Sequence, residues 1–174
     1  ACRCTTSAAV WRPAVAATPV RTLTPRDLAT NAAAAPPSPD AAVMAAREAA
    51  TTAATLDELR TILDRFEGCA LRASATQLVF ARGNPEARVM FVGEAPGYEA
   101  DRSGKPFVGR AGHLLDRMMA AIGLDESSAY VANIVPWRPP GNRTPTPQES
   151  AICLPFIRRQ IELSGVELKL GRLA

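Results

Sequence analysis

The residues best equipped for chemistry fall in two short stretches, one arginine-flanked loop and a scatter of thiols. Glu94 sits in Gly93-Glu94-Ala95-Pro96-Gly97, directly after the β-branched and aromatic run Arg88-Val-Met-Phe-Val92. An apolar run that stops at a glycine reads as a buried parallel strand, and in an open α/β sheet the ligand crevice lies at the carboxyl ends of strands. A carboxylate on that turn is well placed for chemistry, although the two glycines would serve equally to make a sharp turn that leaves Glu94 in water. Asn133 interrupts the apolar run Tyr130-Val-Ala-Asn-Ile-Val135. A buried amide is costly unless it is satisfied, so Asn133 either bonds to neighbouring backbone or faces a site. The single histidine, His113, lies beside Arg110 and Arg117 and off the apolar stripe of its helix, which reads as a solvated side chain rather than a catalytic base. Arg138-Pro-Pro-Gly-Asn-Arg-Thr-Pro145 is a Pro/Gly loop flanked by arginines, suited to touching phosphate and equally to being a rigid connector. Cys2, Cys4, Cys69 and Cys153 are too few and too scattered for a disulfide scaffold in 174 residues, so a reducing compartment is expected.

Those residues need a sheet and helices to hold them. At 174 residues and 47% apolar content the chain fits one domain with a real core. Its apolar stretches are broken by Arg, Asp or Pro, so no membrane span is expected. A net charge of +3 permits a nucleic-acid partner without arguing for one. Residues 1–40, rich in Ala, Thr and Pro, read as a disordered arm, and residues 41–174 as the domain. Ala41 to Ala50 favours helix by propensity. Thr55 is an N-cap with Glu58 at the capping-box position, ahead of an apolar stripe of Leu56, Leu59, Leu63 and Phe66. Thr76–Phe80 has strand character, and the loop Tyr98–Gly109, with Gly104, Pro106 and Gly109, is expected to be irregular. A helix follows over Arg110–Ile122, with Leu114, Leu115, Met118, Met119 and Ile122 apolar. Thr146, Pro147 and Glu149 start another, whose Pro155 removes a hydrogen bond and predicts a kink costing about 3 kcal/mol. Val166, Leu168 and Leu170 alternate with charges and read as a last edge strand.

In this order, GEAPG, GKPFVGRAGHLLD, YVANIV, RPPGNRTPTP and the helix CLPFIRRQIE resemble the type-4 uracil-DNA glycosylases of the uracil-DNA glycosylase superfamily, over roughly Leu56 to Glu162. The resemblance implies a three-layer α/β/α fold on a short parallel sheet. It implies a DNA repair enzyme that hydrolyses the N-glycosidic bond of uracil, a reaction that requires extruding the nucleotide and reading its Watson–Crick edge. It gives Asn133 the reading role, because an amide can accept from N3–H and donate to O4. It gives Phe107 the stacking role, and lines the pocket with Gly93, Glu94, Ala95, Pro96 and Gly97, Glu94 positioning the water. Glu94 and Asn133 are then the catalytic residues, and Arg110, Arg138 and Arg143 the phosphate contacts. A second family acid falls at Ala100 here, with Asp101 retained.

Type-4 enzymes also hold a [4Fe–4S] cluster on four cysteines, at positions that read Cys69, Arg72, Trp137 and Cys153 in this chain. Neither Arg nor Trp replaces a thiolate. The expectation is therefore no cluster, with Cys69 and Cys153 as remnant ligands and Trp137 filling the space. Relatives continue with further strands and a His-Pro-Ser/Ala motif whose histidine donates to uracil O2. The resemblance thus implies a domain incomplete at its C-terminus and an impaired enzyme, since losing one such donor costs about 10²–10³ in rate. The expected partner is uracil-containing DNA, with no membrane, a monomeric state and a cytoplasmic location, nucleoid-associated in a bacterium. The competing reading is a non-catalytic α/β domain that binds a nucleotide or DNA through the GEAPG turn.

Overall fold

The computed structural model describes residues 38–171. The arm expected over residues 1–40 lies almost wholly outside the described residues, as do Cys2 and Cys4. Helix α1 runs Pro39–Thr52, opened by Ser38, whose hydroxyl accepts from the Ala41 amide at 3.3 Å. Its buried stripe is Ala42, Ala46 and Ala50, continued by Ala53. Methyl-sized side chains at that spacing let α1 lie close against helix α6, Pro147–Leu163. The two are also bolted together, Arg159 donating through Nε (3.1 Å) and Nη2 (2.8 Å) to the Ala53 carbonyl just past α1. Helix α2, Leu56–Arg65, has the expected capping box between Thr55 and Glu58, and buries Leu59 and Leu63. Phe66, at its end, meets Phe156 of α6 edge to face at 5.0 Å. Helix α6 has its own capping box from Thr146 and Glu149 and runs through Pro155 to Leu163. The hydrogen bond missing at Pro155 is offset by burial of Ile152, Cys153, Phe156 and Ile157 around it.

The sheet has four strands in the order β1-β3-β2-β4, where β1 is Ala81–Gly83, β2 Val89–Gly93, β3 Ala129–Asn133 and β4 Leu168–Gly171. Strands β2, β3 and β4 are parallel, and β1 closes one edge antiparallel to β3. Side chains alternate across a sheet, and the register pairs Met90 with Tyr130 and Val92 with Ala132 on the face that meets α1, α2 and α6. The other face carries Phe91 with Val131, and Gly93 with Asn133 at the strand tips. On that side Arg82 of β1 pairs with Asp116 of helix α5, Arg110–Ala121. The α/β class and the parallel centre of the sheet agree with expectation.

Two local expectations are corrected. Thr76 and Gln77 lie in a bend and Leu78–Phe80 join no ladder, although the Val79 amide donates to the Pro136 carbonyl at 2.9 Å; the strand begins at Ala81. The Tyr98–Gly109 loop holds helix α4, Tyr98–Ser103, because Glu99-Ala100-Asp101-Arg102 are adequate helix residues and Gly104, at φ 71°, ends the helix rather than preventing it. A short helix α3, Leu71–Ser74, lies after Cys69. Helix α5 forms where its periodicity places it, but only part of the apolar arc is covered: Met119 is buried while Leu114, Met118 and Ile122 are exposed.

Candidate active site

A cavity of about 390 Å³ opens at the carboxyl ends of β2 and β3. Its walls come from the Ala95–Ala100 stretch, from Phe107 to Gly112, and from Asn133 and Asn142. The ladder runs on past the strands: the Ile134 and Val135 amides donate to the Gly93 and Glu94 carbonyls at 2.9 and 3.0 Å. Those bonds pin the GEAPG turn beside Asn133, so the two stretches singled out by their residue types meet at one place.

Asn133 is 4% exposed, and its Oδ1 is buried without a hydrogen-bond partner. A buried acceptor left unmade costs about 1–3 kcal/mol, and such a group in a cavity wall is a standing invitation to an N–H donor. Gly93 opposite it leaves the space: a Cβ there would lie 2.5 Å from Asn133 Oδ1 and 2.5 Å from Phe107 Cζ. Phe107 sits at φ 55°, a left-handed conformation that costs a bulky residue about 1–3 kcal/mol. It is held there by the first turn of α5, whose Gly112 packs so tightly that a Cβ would overlap the Phe107 carbonyl oxygen. Ring, amide oxygen and glycine thus stand together at the strand tips beside the cavity.

The carboxylates are distributed differently from the sequence reading. Glu94 is exposed and its side chain is not part of the cavity wall; Glu99 is, with its carboxylate lying against Gly109 at the start of α5. Asp101 is 2% exposed and turned inward, accepting from the Thr76 amide at 2.8 Å and the Thr76 hydroxyl at 2.7 Å. Ala95, Pro96 and Gly97 line the cavity, whereas Gly93 lies outside the wall, packed between Asn133 Oδ1 and the Phe107 ring. Of the three arginines, Arg110 is exposed in the cavity wall. Arg138 is partly covered, its Nε donating to Asn142 Oδ1 at 2.7 Å. Arg143 is committed elsewhere, to both oxygens of Glu149 at 2.8 and 2.6 Å. That pairing holds the Glu149 carboxyl down to about 2. His113 is exposed and outside the cavity wall, as expected. Glu99, Tyr98 and Asn142 were missed: the first two fall in the segment read as irregular, and only the cavity itself identifies them.

Three of the four cluster positions, Cys69, Trp137 and Cys153, lie in the core with α1, α2 and α6. Cys69 and Cys153 are buried free thiols. Interaction with Cys153 lowers Cys69, and interaction with Cys69 together with burial pushes Cys153 up. The Arg72 guanidinium is turned to the Asp64 carbonyl, donating from Nε at 3.0 Å and Nη2 at 2.6 Å. Trp137 is 2% exposed and packed in the same core. Among the described residues no three His, Cys, Asp or Glu side chains converge as a metal site. Two thiols, a guanidinium occupied by backbone and an indole do not fit a [4Fe–4S] cluster, which takes four thiolates.

A largely parallel sheet whose strand tips present an unpaired buried amide beside an aromatic ring at a cavity defines an α/β protein with its candidate site at the carboxyl ends of the strands. A family model described as the uracil DNA glycosylase superfamily matches residues 80–171, just over half of the chain, and the chain belongs to that superfamily. It is similar to the type-4 uracil-DNA glycosylase of Thermotoga maritima, 43% identical over 113 residues, 63% of this chain and 59% of the relative. It is likewise similar to that of Archaeoglobus fulgidus, 42% identical over 122 residues, 69% of this chain and 61% of the relative. The type-4 enzyme of Sulfurisphaera tokodaii is 40% identical over 110 residues, 63% of this chain and 50% of the relative. The chain therefore spans between half and about three fifths of the length of these relatives. Among the described residues no helix is long and apolar enough to cross a membrane.

Proposed function

We propose that this chain is a glycosylase domain that removes uracil from DNA by hydrolysing its N-glycosidic bond. The observation that carries the reading is the unpartnered Asn133 Oδ1, buried in the wall of a cavity and facing the Phe107 ring across Gly93. Uracil extruded into the cavity stacks on Phe107, and its N3–H supplies the donor that Asn133 lacks. Cytosine has a bare acceptor at N3, so it leaves Oδ1 unpaired and is rejected. Water attacks the sugar carbon C1′ as the C1′–N1 bond breaks. The bonding pair leaves with uracil as its anion, and the water proton passes to a carboxylate at this end of the sheet. Glu99 in the wall and Glu94 on the turn are the two groups that supply one.

His113, the only histidine in these 174 residues, stands outside the cavity wall, so the reading assigns it no contact with the base. The test is uracil release from a single-stranded oligonucleotide carrying one uracil, followed over hours, with Asn133→Ala as the control. Release that Asn133→Ala abolishes supports the reading. Release unaffected by Asn133→Ala refutes it. The same reading makes the protein a monomer, acting in the cytoplasm and on the nucleoid in a bacterium, which sedimentation and imaging of a tagged chain would check.

A further inference from the structure

Tyr98 opens α4 and forms part of the cavity wall, yet it is 52% exposed. Two guanidinium groups attend its ring: Cζ of Arg138 lies 5.1 Å from the centroid and Cζ of Arg102 5.6 Å. Arg102 Nη1 also reaches the phenol oxygen at 3.4 Å. Arg138 is ordered before any ligand arrives. Its Nε is bonded to Asn142 Oδ1, and its Nη1 stands 3.9 Å from Oδ2 of Asp101. Asp101 is itself buried and fixed from behind by Thr76. A guanidinium held this way has already lost the side-chain freedom that an exposed arginine gives up on binding. The pocket does not need this arrangement to hold a base, because Phe107 and Asn133 suffice. A half-exposed aromatic ring with two cations stacked against it at the lip of the cavity is the pairing that single-stranded nucleic acid fits, through its bases and its phosphates.

We propose that Tyr98, Arg102 and Arg138 form a docking surface for single-stranded DNA flanking the extruded nucleotide, the ring stacking on a neighbouring base and the guanidinium groups pairing with its phosphates. The proposal rests on the glycosylase reading and extends it from the extruded base to the strand that carries it. Asp101 acts behind the surface, as a positioning residue for Arg138.

The test is fluorescence anisotropy with two labelled single-stranded oligonucleotides, one holding a central uracil and the other cytosine in its place. Tyr98→Ala weakens both by about tenfold, because stacking on a flanking base is indifferent to the base in the pocket. Tyr98→Phe restores most of that loss. Arg102→Gln and Arg138→Gln each lower the slope of log affinity against log salt by about 0.7, the value for one phosphate contact on a single strand. Tyr98→Ala binding both oligonucleotides like the unsubstituted chain, with an unchanged melt, overturns the proposal. So does a loss as large in Tyr98→Phe, or a salt slope that neither arginine substitution moves. The two readings separate cleanly. A chain that prefers uracil but ignores Tyr98→Ala loses the docking surface alone. A chain with no uracil preference that is weakened by Tyr98→Ala keeps the surface and loses the glycosylase pocket.

Discussion

Gly93→Ala tests the pocket with the smallest change available. The added Cβ would stand 2.5 Å from Asn133 Oδ1 and 2.5 and 2.6 Å from Phe107 Cζ and Cε2. Carbon contacts settle near about 3.5 Å, so something must move by about 1 Å. The strand cannot, because Gly93 is paired with Asn133 in the parallel ladder. Asn133 is packed in the sheet, so Phe107 swings towards the cavity instead. Gly93 does not sit at positive φ, so alanine adds no backbone strain. Overpacking that has a cavity to relax into costs at the low end of its usual range, about 1 kcal/mol. Binding suffers more. The methyl group occupies the gap between amide oxygen and ring, and the bond from N3–H to a buried acceptor goes unmade, worth about 1–3 kcal/mol. At about 1.4 kcal/mol per tenfold, affinity for a uracil oligonucleotide falls by about 5- to 150-fold, with the preference over cytosine lost. Gly97→Ala is the control, since a Cβ at that pocket-lining glycine meets nothing within 4 Å. Urea melts and anisotropy titrations on both variants decide the matter. Gly93→Ala binding uracil DNA with unchanged preference, or Gly97→Ala matching it in loss, would refute the reasoning.

The chain purified anaerobically is expected to show no visible iron–sulfur absorption and far less than one iron per chain; a stoichiometric iron and sulfide content would overturn the reading of Arg72 and Trp137. Glu99→Gln is expected to slow uracil release more than Glu94→Gln, because only the Glu99 side chain forms part of the wall; the reverse order would return the water to Glu94. Glu149 has its folded pKa lowered to about 2 from 4.5, chiefly by Arg143, so it binds fewer protons folded than unfolded. Its contribution is full above the unfolded value and disappears as pH falls through the folded one. Arg143→Gln should therefore lower the melting temperature slightly at pH 7, the exposed guanidinium being screened by solvent. Melting curves should converge with the unsubstituted chain as pH falls to about 2, and a gap that stays constant would refute the pairing.

The parts of this molecule that sequence could reach are those decided by neighbours in the chain. Thr55 with Glu58 and Thr146 with Glu149 are capping boxes because a hydroxyl, an amide and a carboxylate three residues apart satisfy one another whatever surrounds them. Asn133 could be recognised as anomalous, but not as unpaired, since its missing partner depends on Gly93 and Phe107 arriving from elsewhere. The α5 stripe shows the same limit. Periodicity places the helix, yet only the packing decides that Met119 is buried while Leu114, Met118 and Ile122 stay in water. Helix α4 was hidden by the glycines and prolines that flank it, although Gly104 is its stop signal. Arg143 read as a phosphate contact by type and loop, and the fold instead turns it to Glu149.

The segment from Asn133 to Arg138 joins the two halves of this behaviour. Asn133 points into the pocket, Trp137 is buried in the core that also holds Cys69 and Cys153, and Arg138 stands at the lip beside Tyr98. Five peptide units therefore carry base reading, core filling and strand contact in succession. The Ile134 and Val135 amides tie the first of them to the GEAPG turn, and Asn142 with Asp101 ties the last. An indole at the third cluster position can fill a core as a metal-bound thiolate cannot, by area alone, a Trp side chain burying about 150–250 Å². The anchor of this segment is thus hydrophobic packing rather than coordination. That anchor has no redox state and no metal to lose, so the geometry of pocket and lip depends on the folding of the core alone.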